Sequence, residues 1–413
     1  MGHPRPTCDV LVLDAGTRPA LVAVRSLGRA GLSVATAECD ARWPGVAARS
    51  RYAVSALRLP NLETDPDQYV DGVLSAVLRT GAQLVLPVHD GSVAALRKRL
   101  PEVLLQVGVA LPSTSALDLF EDKSRTQLLA RRLGVPTADG SVVEDLDDVD
   151  AVVDAAELPV VVKPCRSWVA DERWHAQRLV CRAAATREEL REALRGVLLA
   201  GGTALVQPLL PGRREAVHAV AVDGRVMVCC TQATDRTWPV LGGSSVLRWS
   251  IPSDPELGHA AELLLGAVGY TGYAEVEFRR DAGGTPVLME VNPRLSASVE
   301  VAVRSGCDVP LLLWQVHLGA PLASAVPRRQ DVRMRWFGGD VRWLVDMLCR
   351  PGQVQGVSRT AALTTFGREC LRRSGSDYLG WRDPVPALAA LPGFMGTAVR
   401  RSRNGLSKEP AAR

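Results

Sequence analysis

The first hundred residues alternate short apolar runs with stretches whose apolar positions recur every three or four residues. Residues 10–13 form one apolar run, stopped at the turn Asp14-Ala15-Gly16. Residues 19–30 follow with Leu21, Val24 and Leu27 on one helical stripe, ending at Gly31. Residues 32–37 return as a strand, and residues 67–78 read as a helix. Residues 84–88 form a buried-type strand ending at His89-Asp90-Gly91. This β-α-β-α rhythm predicts a small parallel α/β domain. No G-x-G-x-x-G follows its first strand, so a dinucleotide site is not expected, although a small substrate could lie outside the strand ends.

A boundary near Leu111-Pro112-Ser113 opens a second region. Ser115 reads as the N-cap of a short helix over 116–120, and residues 123–133 as a second helix closed by Gly134. Residues 158–163 are an apolar strand stopped by Pro164. A helix over 188–199 and a strand over 204–207 follow, the latter broken by Pro208 and Pro211-Gly212. Beyond it the pattern turns antiparallel. Segments 216–222 and 225–230 flank Asp223-Gly224, a two-residue hairpin signal, and segments 273–279 and 286–292 flank Gly283-Gly284, whose paired glycines suit a type I′ hairpin. Helices are expected over 295–306 and 311–318, and a Trp- and Arg-rich extension follows residue 327. The expected divisions are 1–111, 112–206, 207–326 and 327–413.

A chain of 413 residues with 47% hydrophobic and 23% charged positions can bury a substantial core in two or three domains. Its net charge of +4 argues against a dedicated nucleic-acid binder. Arg400, Arg401, Arg403, Lys408 and Arg413 read as a solvated tail. Nine cysteines without a Cys-x-x-Cys pair suggest free thiols in a reducing compartment. No uninterrupted apolar run has transmembrane length and the first strand follows no apolar leader, so a soluble, cytoplasmic protein without a membrane partner is expected.

Composition sharpens one point: arginine so dominates the basic residues that only four lysines occur, Lys98, Lys123, Lys163 and Lys408. Lys163 ends the apolar Val160-Val161-Val162 and needs either an anionic partner or a path to water. Lys123, in Phe-Glu-Asp-Lys-Ser, reads alone as a surface residue. In Tyr273-Ala-Glu-Val-Glu-Phe-Arg279, strand alternation puts Glu275, Glu277 and Arg279 on one face. In Met289-Glu-Val-Asn-Pro-Arg294, Glu290 and Asn292 share a face, and a turn centred on Gly283-Gly284 sets Glu277 opposite Glu290 and Glu275 opposite Asn292. Facing carboxylates repel. Either magnesium compensates them, or Arg279 and Arg294 neutralise a charged outer sheet. Residues 205–212 read either as a strand leaving into a hinge that reads an adenine edge or as an ordinary edge strand.

In order, Glu-Asp-Lys123, Val-Val-Val-Lys163-Pro, Val-Gln207-Pro-Leu-Leu-Pro-Gly, Glu-Val-Glu277-Phe and Met-Glu290-Val-Asn292-Pro-Arg294 resemble the ATP-grasp superfamily over residues 9–320. The resemblance is nearest to the bacterial carboxylate–amine ligases with D-aspartate ligase-like members, whose style Thr234-Asp-Arg236-Thr-Trp-Pro239, Gly242-Gly243 and Arg382-Asp383-Pro384 also follow. It implies an α/β and α+β fold: an N-terminal Rossmann-like (pre-ATP-grasp) domain, then two lobes clamping ATP. It implies Lys123 and Lys163 on the nucleotide phosphates, Gln207 and Leu209 at the adenine hinge, and Glu215 as a ribose or hinge-side contact. Glu277, Glu290 and Asn292 would hold one or two magnesium ions, with manganese an acceptable substitute. Arg294 would stabilise the transferring phosphoryl group or the substrate carboxylate.

The implied reaction joins a small carboxylate to an amine through an acyl phosphate, releasing ADP and phosphate, in a chain free to form a homodimer. It requires no serine, cysteine or histidine nucleophile, so His89, His218 and Cys165 read as structural or peripheral. Where the family carries a glycine-rich cover over the triphosphate, residues 165–174 hold no glycine, and Arg166, Ser167 and Arg173 are the candidates for an alternative cover. That departure keeps a catalytically degenerate ATP-binding regulatory module among the alternatives, beside an ATP-grasp kinase or carboxylase.

Overall fold

The computed structural model describes residues 8–39, 44–170, 176–240, 242–320, 322, 329–349 and 357–391. The expected tail lies outside these residues, as do residues 171–175 of the cover segment with Arg173.

Five parallel strands form the N-terminal sheet, in the order Ala53–Arg58, Val34–Glu38, Val10–Val12, Leu84–Leu86, Gly108–Val109. Helix Arg18–Arg29 starts where Thr17 Oγ1 accepts the Ala20 amide and Pro19 presets the first turn. Its Leu21, Val24 and Leu27 pack on one face of the sheet, and Tyr69, Val70 and Val73 of helix Pro66–Thr80 on the other. Both faces are covered, so the strands carry continuous apolar runs.

The next sheet is antiparallel, in the order Arg182–Ala184, Val160–Pro164, Ala204–Pro208, Ser141–Val143. Val160, Val162, Ala204 and Val206 face helices Val149–Ala155 and Arg187–Leu199. By alternation Lys163 and Gln207 lie on the opposite face. Ala204–Pro208 pairs on both sides, which rules out the edge-strand reading of residues 205–212. A two-stranded hairpin, Trp168–Ala170 with Ala176–Arg178, projects from the end of Val160–Pro164.

The largest sheet has seven strands: Pro286–Asn292, Gly272–Arg280, Arg214–Val222, Arg225–Trp238, Ser244–Ile251, Arg333–Arg335 and Gly375–Ser376. Val217, Ala219, Ala274, Val276, Phe278 and Leu288 face helix Pro255–Gly266. The segment beyond residue 327 is thus built into this sheet, through Arg333–Arg335 beside Ser244–Ile251.

Several local readings change. Ser113, not Ser115, caps helix Thr114–Phe120, because its Oγ reaches the Ala116 amide. Asp223 and Gly224 both take positive φ, 48° and 79°, as a type I′ turn requires. The second hairpin closes differently. Asp281 N–H donates to Thr285 O (3.0 Å), and only Gly284 of the glycine pair takes positive φ. A bulge between Glu277 and Phe278 then restores the expected register, Glu277 opposite Glu290 and Glu275 opposite Asn292. The helix expected over 295–306 shrinks to Glu300–Ser305, and in the stretch before it Ser296 bonds the Tyr273 hydroxyl and Ser298 donates to Glu275.

Candidate active site

Alternation carries Glu275 and Glu277 to the sheet face opposite helix Pro255–Gly266, and Glu290 joins them from the neighbouring strand. The three carboxylates meet around one atom. Asn292 Nδ2 lies 3.3 Å from Glu275 Oε2, 3.4 Å from Glu277 Oε1 and 3.3 Å from Glu290 Oε1. Arg214 binds Glu277 and, through Nη1, the carbonyl of Gly243 (2.8 Å). Ser298 Oγ donates to Glu275 (2.6 Å), and His218 Nε2 approaches the same carboxylate at 3.9 Å.

Lys123 reaches this cluster from the first turn of helix Lys123–Arg132. Asp122 caps that helix by accepting the amides of Ser124 and Arg125, and the Lys123 amide donates to Cys165 O (2.9 Å). Its ammonium sits 3.3 Å from Glu290 Oε2 and donates to Ser167 Oγ (3.1 Å). Lys163 Nζ donates to Gln207 Oε1 (2.9 Å), while Gln207 Nε2 donates to Gln127 Oε1 and Ala138 O. The Gln207 amide is therefore engaged within the protein, where it orients Lys163.

The electrostatics follow from burial and crowding. Burial pushes Glu277 up, and Glu275 and Glu290 push it further, to about 8 despite Arg214. Burial acts the same way on Glu290, but Lys123, Arg214 and Lys163 outweigh it and hold the carboxyl down at about 2. Burial lowers Lys163 to about 8, and Lys123 adds to the effect. For Lys123 burial is outweighed by Glu290, which raises it. One acid of the trio is thus driven toward its protonated form, first by burial and then by its two neighbours.

That crowding tests the metal reading. Among the described residues no three His, Cys, Asp or Glu side chains form a preformed metal cage. Magnesium does not need one, because it takes one or two carboxylates and completes its shell with water and phosphate oxygens. Two facing glutamates crowded beside a third acid and an amide fit such an ion. Arg294 lies outside this knot: its Nε and Nη2 donate to Asp90, the second at 3.1 Å. A cavity of about 420 Å³ opens between the two groups, its wall formed by Asp90, Arg97, Lys123, Trp168, Glu290 and Asn292 among others.

Two expected residues stand apart. Glu215 pairs in register with Phe278 and so takes the far face, where it binds Arg213 and Arg280 (2.8 Å). That position withholds it from the nucleotide side. The Leu209 amide donates to Pro159 O (3.1 Å), so that donor is already taken. Arg214, Ser298 and Asp90 were given no role from the sequence, Glu275 was placed on the site face but left out of the metal set, and His218 and His89 lie against the site rather than at its periphery. Period-two alternation already put Glu275 beside Glu277. Arg214 needed the pairing of Arg214–Val222 with Gly272–Arg280, which no local signal encodes.

A parallel sheet is followed by two antiparallel lobes, with paired lysines facing an acidic hairpin, and comparison with known proteins supports the ATP-grasp resemblance. The family model described as ATP-grasp in the biosynthetic pathway with Ter operon matches residues 202–339. The chain is 23% identical over 342 residues to the carbamoyl phosphate synthase large chain of Clostridium acetobutylicum, covering 76% of this chain and 31% of that one. It therefore spans about a third of that relative's length. It is 26% identical to the D-alanine–D-alanine ligase of Chromohalobacter salexigens, over 55% of this chain and 73% of the relative. Among solved structures, the biotin carboxylase of Campylobacter jejuni superposes with a TM-score of 0.62 at 17% identity, covering 79% and 74% of the two chains. The L-amino acid ligase of Bacillus licheniformis gives 0.60 at 18% identity, covering 80% of each.

Proposed function

We propose that the protein is an ATP-dependent carboxylate–amine ligase that works through an acyl phosphate and releases ADP and phosphate. The observation that carries this reading is the arrival of Lys123 at Glu290 (3.3 Å), beside the facing pair Glu277 and Glu290, at the wall of a cavity of substrate size. Relatives named as ligases in both comparisons support it.

Lys123 and Lys163 are compact point charges suited to phosphate oxygens. Gln207 holds Lys163 in place, and the stretch after it forms the adenine hinge, to which Leu209 does not lend its amide, already donated to Pro159. Glu277, Glu290 and Asn292, with Glu275 behind them, would hold one or two magnesium or manganese ions, which neutralise charge on the transferring phosphates. A substrate carboxylate oxygen bonds to the γ-phosphorus as the bond to the bridging oxygen breaks, and ADP departs. The amine nitrogen then bonds to the acyl carbon, the carbon–phosphate oxygen bond breaks, and the amine proton passes to solvent. Arg294 offers its guanidinium to the transferring group or the substrate carboxylate. Holding both anions in line supplies much of the rate. The D-aspartate ligase-like kinship, the division of the chain at 111, 206 and 326, a cytoplasmic location and a homodimer belong to the same proposal. Among the described residues no helix is long and apolar enough to cross a membrane.

The test is incubation with ATP, magnesium and pooled amino acids, with mass spectrometry for a product one water lighter than its parents together. ADP release should require both a carboxylate and an amine, and AMP as product would refute the acyl-phosphate route. The cover segment without glycine favours one rival, a binding-only module. Stabilisation by Mg-ATP with no turnover across the whole panel would support that rival instead.

A further inference from the structure

The turn His89-Asp90-Gly91, after strand Leu84–Leu86 of the N-terminal sheet, touches both other parts of the molecule that supply cations to the site. Asp90 opens helix Asp90–Lys98 and accepts two donors from Arg294 of the large lobe. Arg178, on the hairpin of the small lobe, brings Nη2 to 3.9 Å from the same carboxylate. On that hairpin Trp168 meets the His89 ring edge-on, with centroids 5.8 Å apart. Gly91 leaves room for it, since a Cβ there would lie 3.0 Å from Trp168 Cη2 and 2.7 Å from Leu62 Cδ2. Trp168 follows Ser167, whose hydroxyl accepts from Lys123.

The turn itself is stiff. Asp14, at φ 59°, accepts the amides of Val88 (3.0 Å) and His89 (2.8 Å) and the Ser92 hydroxyl (2.6 Å). A left-handed aspartate persists only where its surroundings over-determine it, and here they do.

We infer that His89-Asp90-Gly91 is a template on which the N-terminal domain positions two site cations, Arg294 through Asp90 and Lys123 through Trp168 and Ser167. The inference rests on reading the site as that of an ATP-grasp ligase. A carboxylate that accepts two donors from one guanidinium fixes its plane as well as its distance. The described part of the hairpin lacks the conformational freedom of glycine, so side-chain docking, not a supple backbone, sets its height over the phosphates. Asp90 and Trp168 are positioning residues in this scheme.

Four variants test it, read by Mg-ATP titration, steady-state kinetics and near-ultraviolet circular dichroism. Asp90→Asn should lower kcat by about 10- to 100-fold while leaving Mg-ATP affinity within about twofold, because misaiming a reacting group by an ångström costs rate rather than binding. Asp90→Glu, which keeps the charge, should recover part of that loss. Gly91→Ala should abolish the dichroic band that Trp168→Phe removes. Wild-type kcat and KM in Asp90→Asn would overturn the Asp90 arm, and an intact Trp168 band in Gly91→Ala the hairpin arm. Were the wild-type protein to form no ADP with any acceptor, the ligase reading would fall, and the Trp168 band would still decide whether the turn seats the hairpin.

Discussion

Two clusters of buried charge occupy the large sheet, built on opposite principles. In the first, two aspartates of the carboxy-terminal segment are each shared between two arginines. Asp377 lies between Arg18 (2.7 Å) and Arg248 (2.5 Å), and Asp340 between Arg236 (2.8 Å) and Arg335 (2.6 Å). Arg18 and Arg236 also cover the rings of Trp336 and Trp343, each at 4.1 Å. With Asp383 bound to Arg25, these pairs tie the last described residues to the first helix. In the second cluster Glu275, Glu277 and Glu290 crowd around one amide with Arg214 and Lys123 beside them, and the group opens onto a cavity. The first is rich in cations and closed on itself; in the second Arg214, Lys123 and Lys163 match the three acids in number, and Glu290 and Asn292 face space. Sealed charge holds the molecule together, whereas crowded charge at a cavity wall is placed to meet a ligand.

Breaking the sealed cluster should have the largest effect. Asp377→Ala strands two arginines that are almost wholly buried, and should cost about 3–5 kcal/mol of stability, measured by denaturant unfolding. Breaking the open cluster should act chiefly on function. Glu290→Gln should lower turnover about 100-fold or more, and should also lower the unfolding free energy, since a carboxyl held down at about 2 by Lys123, Arg214 and Lys163 stabilises the fold in its charged form.

The third prediction concerns pH. Glu277 is raised from 4.5 to about 8, so the folded protein retains a proton that the unfolded chain has released. Between those values stability falls as pH rises, because the native state binds more protons. Magnesium should flatten that slope in thermal melts, and Glu277→Gln should abolish it. The smallest effect is expected at Glu215, on the far face. Its partners Arg213 and Arg280 reach solvent, so Glu215→Gln should cost about 1 kcal/mol and leave turnover within about twofold.

The contrast also marks what the sequence makes legible. Strand and helix order, the Asp223-Gly224 turn and the facing of Glu277 with Glu290 follow from local rules, since period-two alternation and turn residues act over a few positions. The turn at residues 281–285 differs from the type I′ form, yet the register at the acids holds, because a bulge adds back the residue that the longer loop removes. Glu215 was misassigned because which face it takes is fixed by pairing with residues some sixty positions away. Arg214, its neighbour, takes the site face for the same reason. The carboxy-terminal segment was opaque because its aspartates find partners hundreds of residues distant in the chain, as Asp377 does with Arg18.

The measurement that bears most directly on the acidic knot is calorimetric titration of ATP with and without magnesium, on the wild-type protein, Glu290→Gln and Glu215→Gln. Magnesium should tighten ATP binding by more than about tenfold in the wild-type and Glu215→Gln proteins, and by much less in Glu290→Gln. Equal magnesium enhancement in all three would contradict the assignment of Glu290 to a shared cation.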